Sequence, residues 1–320
     1  MNFWELLTTF KSKEIETSPY LYHYTSLDTF CAMTNDKGDF YCTHFNALND
    51  DAEVLMGESL VEEYLKKKYA WADNRCRWFQ VNFRTIVKSE TCVIPWIMSF
   101  SRDRDSLNQW VSYTDKMKGG VAIGFSRNSI VDAIDRMPGR YQKDEEGKYV
   151  KQDSTSFELR LLPCLYKERD AEFIERLFDE LLSPHKDALE RLGSAKTSEE
   201  MLKQDFVEAI NTILEISTVI KHNSFENEQE ERLVLMPMTR TCSDCEIIGG
   251  KPRWKTHVSD TTFEGIGNPK YRGIRGMMRE VVISPHGDRG ILLTSVKVLC
   301  NKYNMDFCKI SESQSPYNGR

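Results

Sequence analysis

The sequence predicts an α+β fold: a mixed or antiparallel sheet with inserted helices. Short apolar strand segments recur without the regular βαβ alternation that builds a parallel sheet. Two helical blocks, about 52–88 and about 170–220, interrupt them. No internal repeat, low-complexity stretch or linker divides the chain, so one elaborated domain is expected over 1–320, with its core at about 20–317.

Phe3, Leu6, Leu7 and Phe10 share one face of a short amphipathic helix. Leu21–Tyr24 is a brief strand, and Thr25 or Ser26 can cap a helix running to Met33. Asp39–His44 alternates as a strand does and leads into the polar turn Asn46–Asp51. Ala52–Tyr69 and Asn74–Lys88 are helical. Cys92–Ser101 is a strongly apolar strand, and Leu107, Trp110 and Val111 define a short helix to Tyr113. Gly119-Gly120 turns into the strand Val121–Phe125, and Pro138–Ser156 is polar enough to be an exposed loop. Leu159–Tyr166 is a strand; Asp170–Leu192 and Ser198–Ile220 are long amphipathic helices. The strand Glu231–Met236 follows, then the irregular stretch Thr239–Tyr271. The strand Arg279–Ser284, the helix Arg289–Tyr303 and the strand Asp306–Ile310 close the chain.

Lys and Arg number 43 against 49 Asp and Glu, a net charge of −6, so no general field for polyanions exists. Nucleic acid is therefore expected only as a substrate. Nine cysteines, irregularly spaced in a long chain, point to free thiols in a reduced, cytoplasmic setting. No basic leader precedes an apolar segment and no apolar run reaches membrane length, so no membrane role is expected. Cys242-Ser243-Asp244-Cys245 lacks a second ligand pair for zinc and is taken as two loop thiols. The dinucleotide and P-loop glycine patterns, a GxSxG elbow and an HExxH helix are all absent. No metal site is expected.

Four constellations remain. In Tyr22-His23-Tyr24, alternation sends His23 to the opposite side from its neighbours. It is either a binding residue or a core histidine bonded to a backbone carbonyl. Ser99 and Ser101 share a strand face, where hydroxyls can orient a ribose or simply cap the strand end. Trp110 and Tyr113 can stack on a flat ring or anchor their helix. Glu228, Glu230 and Arg232 share a face if Phe225–Arg232 enters its strand extended; they either work or pair as a solvated edge.

Read in order, Leu21-Tyr22-His23-Tyr24-Thr25-Ser26-Leu27, Asn46-Ala47-Leu48-Asn49-Asp50, Ser99-Phe100-Ser101 and Asp105-Ser106-Leu107 with Trp110 and Tyr113 form a pattern. Gly119-Gly120-Val121, then Glu228, Glu230 and Arg232, then Ser313, Pro316 and Tyr317 complete it. The pattern resembles a large bacterial family of domains of unknown function. Phe225 stands where that family usually has Trp. The family in turn looks like distant kin of the ADP-ribosyltransferases. That likeness implies a split sheet and NAD as substrate, with ADP-ribose transferred to a macromolecular acceptor, or NAD hydrolysed. It also implies a toxin or phage-defence setting, with an inhibitor protein as a possible partner. Breaking the nicotinamide–ribose bond passes through an oxocarbenium-like ribose. Glu230 would stabilise that cation and Glu228 would activate the acceptor. His23 and Tyr24 would bind the ribose or the nicotinamide amide, and Ser101 would steady the ribose. Trp110 or Tyr113 would stack on nicotinamide, and Arg232 would meet the diphosphate. The alternatives are a non-catalytic nucleotide- or protein-binding module and a nuclease. The transferase reading requires His23, Ser101 and Glu230 to converge in one cleft.

Overall fold

The computed structural model describes residues 3, 6–7, 18–48, 52–88, 92–136, 141–143, 149–151, 157–194, 203–238, 245–260 and 273–316. Strand β1 (Tyr20–Thr25) leads to helix α1 (Leu27–Thr34), strand β2 (Tyr41–His44), and the helices α2 (Ala52–Tyr69) and α3 (Asp73–Lys88). Next come β3 (Trp96–Ser101), α4 (Leu107–Tyr113), β4 (Val121–Ser126), α5 (Arg127–Asp135) and the pair β5 (Tyr141–Lys143) and β6 (Tyr149–Lys151). Then β7 (Phe157–Pro163) and β8 (Leu165–Tyr166) precede α6 (Ala171–Leu182), α7 (Lys186–Leu192) and α8 (Gln204–Ser217). The remaining elements are β9 (Ile220–Lys221), β10 (Glu230–Pro237), β11 (Cys245–Ile248), β12 (Lys251–Lys255), β13 (Met278–Ile283), α9 (Arg289–Lys302) and β14 (Lys309–Glu312).

Strand β3 is the hub of a ten-stranded sheet. One edge carries β10 along its whole length, from Glu230 opposite Ser101 to Leu235 opposite Trp96. The other edge is shared: β2 pairs with it at Trp96 and Ile97, whereas β1 pairs at Ser101. The sheet therefore forks beside Met98–Phe100. One wing is β2–β12–β11 and the other β1–β4–β13–β14. Among the described residues only β13 and β14 run parallel within this sheet, so it is mixed.

Alternation along the central strands sends side chains into two cores. Ile97, Leu162 and Val234 pack against α2, α3, α6, α7 and α8. The helices of both blocks thus form one layer. Met98, Phe100, Leu161, Leu233 and Ile123 face the other way, against residues of α1, α5 and α9. A small third cluster joins Tyr22 and Tyr24 to Ala122, Val282 and the fully buried Trp110 of α4.

Several elements differ from expectation, each for a local reason. The helix expected over Asp170–Leu192 breaks at Ser183–His185. Pro184 offers no N–H to continue the ladder. Leu159–Tyr166 divides after Pro163, and β8 leaves to pair in parallel with β9. The stretch expected to be irregular after Thr239 contains the hairpin β11–β12. Its loop is Gly249-Gly250, with φ of 61° and 75°. Two successive positive φ values are what a tight hairpin needs and what glycine supplies freely. The region 52–88 is helical as expected, and so are Phe3, Leu6 and Leu7; the rest of the first helix lies outside the described residues, as do Asn49, Asp50 and most of Pro138–Ser156.

Asp105 ties the end of the chain to α4. Its Oδ1 accepts from Trp110 Nε1 (2.7 Å) and Ser313 Oγ (2.5 Å). Its Oδ2 accepts from the backbone of Gln314 (2.6 Å) and Ser315 (3.2 Å). Burial alone would raise this carboxyl's pKa, but those bonds outweigh it and hold the group below the ordinary value. Asp105→Ala is expected to cost about 2–4 kcal/mol, because several bonds to one charged acceptor are lost together. Denaturation midpoints and faster proteolysis after β14 would show it. An unchanged midpoint would mean that the tail contributes nothing.

Candidate functional site

A cavity of about 450 Å³ lies at the fork of the sheet. Such a volume falls in the range that small-molecule sites occupy. His23 enters from β1, Met98 from β3, Tyr41 from β2 and Arg253 from β12, while Thr29 and Met33 of α1 form the facing wall. Lys37 and Asp28 also line it, and Ile248 at the end of β11 and Gly249 of the following loop close one side. The two wings diverge here, so the backbone leaves room that side chains fill only in part.

At the fork the carbonyl of Ser99 would lack a strand partner. His23 Nδ1 supplies the bond at 3.0 Å. A carbonyl only accepts, so Nδ1 carries the proton and Nε2 of the neutral ring is an acceptor in the cavity wall. Burial lowers the His23 pKa, the Ser99 bond opposes this, and the charge of Arg253 lowers it further, to about 4 from 6.5. The unfolded chain takes up a proton below pH 6.5, while the folded one does so only near pH 4. Stability therefore falls as pH drops through that window, by about 3 kcal/mol from this group. Urea midpoints at pH 7 and 4.5 should show that loss in the native protein and less of it in His23→Gln; equal losses would contradict it.

Arg253 is the second unusual group. Its Nε is buried without a hydrogen-bond partner, and no carboxylate pairs with it among the described residues. Burial lowers its pKa, offset only by the neighbouring Cys42. Asp39, also on the wall, does not serve it. Its Oδ1 accepts from the Phe40 backbone (2.7 Å) and Thr256 Oγ1 (3.0 Å), and its Oδ2 from Ser259 Oγ (2.6 Å). A buried N–H donor on a cation is costly to leave empty unless something supplies an acceptor.

The residues expected from sequence do not meet at one ligand. Glu230 stands opposite Ser101, and Ser101 opposite Tyr22, so these three share one face of the sheet. His23 lies on the other face, its ring 6.0 Å from Phe100. Strand β3 separates β1 from β10. The expected convergence of His23, Ser101 and Glu230 is thus corrected: strand alternation itself parts them.

Glu230 sits in a buried ionic cluster. Lys221 Nζ contacts Glu230 Oε2 and reaches Glu228 Oε2 at 2.6 Å. Arg232 Nε donates to Glu230 Oε1 at 2.7 Å, and its Nη1 to the carbonyl of Thr218 at 2.7 Å. Burial would raise the Glu230 pKa, but the charges of Arg232 and Lys221 outweigh it and hold it at about 2. Glu228 joins not through an extended strand, as expected, but from a 3-10 turn ended by Gln229 at φ 45°. Ser101 Oγ donates to the Glu228 carbonyl at 2.6 Å. Tyr24 OH donates to the Asp103 carbonyl (2.8 Å) and packs edge-on against Trp110, at 4.7 Å. Ser101, Tyr24, Trp110 and Arg232 are all buried, which leaves no free ring face or hydroxyl for nicotinamide or ribose. Tyr113 alone of the set is exposed, at 38 %. Cys245 also departs from expectation. It is disulfide-bonded at the start of an edge strand, where another sulfur can reach it without disturbing a core, whereas seven other cysteines are thiols.

Sequence reasoning missed Arg253 because the hairpin that carries it was read as irregular. The Gly-Gly pair between two apolar-containing runs was the available signal.

Comparison with protein families gives one result. A DUF2971 domain, a protein of unknown function, is found at residues 109–233. That segment runs from α4 to the middle of β10 and contains Trp110, Tyr113, Glu228, Glu230 and Arg232. The cavity residues lie outside it. Nothing links the segment to ADP-ribosyltransferases. No curated protein and no solved structure matches the chain. Among the described residues, no helix is long and apolar enough to cross a membrane.

Proposed function

We propose that this chain is a non-catalytic binding module for a small anionic molecule, held in the cavity at the fork. The observation that carries the reading is Arg253: a half-buried guanidinium whose buried Nε has no partner, in the wall of a cavity of ligand size. An oxyanion lying side-on to Nε and one terminal nitrogen would make two charge-assisted bonds. Lys37 adds a second cation at the wall, while Asp28 and Asp39 are the carboxyl groups there. The apolar lining of Met33 and Met98 would take the body of the ligand.

Transfer of ADP-ribose from NAD has less support. It needs a carboxylate free to face a ribosyl cation, whereas Glu230 is already neutralised by Lys221 and Arg232. NAD belongs in the test as one nucleotide among several. Melting curves would be recorded with nucleotides, sugar phosphates and carboxylates, alongside an assay of nicotinamide release. A true ligand at 100 times its Kd should stabilise the protein by about 2.7 kcal/mol. Stabilisation by an anionic ligand without nicotinamide release is the expected result. Release that disappears in a folded Glu230→Gln protein would establish the transferase instead.

A further inference from the structure

We propose that the fork cavity takes a mononucleotide-sized ligand: one flat ring bearing an N–H donor, and one phosphate-type oxyanion. This rests on the binding reading above and specifies its ligand. Two polar groups in the wall have opposite character. Arg253 offers only donors, and His23 Nε2 can only accept, since its other nitrogen is committed to the Ser99 carbonyl. A ligand that satisfies both therefore carries an acceptor anion at one point and a neutral donor at another. A simple carboxylate, which only accepts, would leave His23 Nε2 without a donor.

The surface between them describes the rest of the ligand. Met33 and Met98 are thioethers, which favour contact with aromatic rings, and Tyr41 stands beside them. The cavity holds about 450 Å³, near the lower end of the range for ligand sites. That suits one ring system with one sugar phosphate better than the two joined nucleotides of NAD. The low pKa of His23 supports an acceptor that stays neutral through the physiological range.

The test is calorimetric titration of the full chain with three classes of probe. They are the ribonucleoside 5′-monophosphates, their parent nucleosides with ribose 5-phosphate, and monophosphates whose ring N–H is blocked by methylation. At least one monophosphate should bind about 10-fold or more tightly than its nucleoside, than ribose 5-phosphate and than its methylated form. Arg253→Gln should erase the advantage over the nucleoside. His23→Phe should erase only the advantage over the methylated probe. Because His23→Phe removes the bond to Ser99, the comparison of methylated and unmethylated probes on the native protein decides the matter if that variant fails to fold. Equal binding of ribose 5-phosphate and every monophosphate, lost in Arg253→Gln, would overturn this inference while leaving the anion-binding reading intact. No binding by any probe in any class would overturn both.

Discussion

Glu230→Ala is expected to lower the stability of the fold by about 3–5 kcal/mol, the cost of removing one partner from a buried ionic cluster. Lys221 would keep Glu228, and Arg232 would keep the carbonyl of Thr218, but the charge that both cations share would be gone. The loss has a pH signature. The Glu230 carboxyl is held at about 2, against an ordinary 4.5, so its contribution is complete above pH 4.5 and disappears as pH falls toward 2. Native protein and variant should therefore converge in stability at acid pH and diverge near neutrality. A surface or catalytic carboxylate behaves differently: its substitution leaves the melting temperature unchanged. Denaturant titrations at several pH values distinguish the two, and an unaltered midpoint near pH 7 would exclude the structural role.

Arg253→Leu should act in the opposite direction on the unliganded protein. Replacing a half-buried guanidinium whose buried Nε lacks a partner by an apolar chain is expected to stabilise the fold by about 1 kcal/mol. The same change should weaken ligand binding by about 10-fold or more, since two charge-assisted bonds go together. A gain in stability paired with a loss of binding is the mark of a residue kept for its ligand. Arg253→Leu that melts below the native protein would mean that the guanidinium already has a structural partner.

The layers of this fold were legible in sequence and the site was not. Strong apolar runs such as Cys92–Ser101 and Val121–Phe125 marked the central strands, because a strand buried on both faces has to be apolar throughout. The helices at 52–88 and 170–220 showed their amphipathic spacing, and only Pro184 broke one of them unexpectedly. The pairing of strands was beyond reach. That β3 divides its edge between β1 and β2 follows from contacts across the chain, and the fork is what makes the cavity. His23 illustrates both sides of this. Its parity against Tyr22 and Tyr24 was readable, and it holds: the tyrosines join Trp110 while His23 turns to the cavity. Parity also meant that Glu230 and Ser101, which share Tyr22's face, could not join His23, but this becomes visible only once register is known. Asp105, Trp110 and Ser313 stood in one sequence pattern, of which only Trp110 was expected to bind. They instead meet each other, in the clasp that fastens the chain end. Arg253 was hidden by its surroundings, since a lone arginine in a stretch read as irregular carries no sign that its Nε will be buried beside a cavity.

The most direct test of the account is a calorimetric titration of native protein and Arg253→Gln with the ribonucleoside 5′-monophosphates, with Glu230→Gln as a third arm where it remains folded. Binding to the native protein, lost in Arg253→Gln and retained in folded Glu230→Gln, is the result the account predicts. Binding that survives in Arg253→Gln but vanishes in folded Glu230→Gln would place the ligand on the other face of the sheet and contradict it.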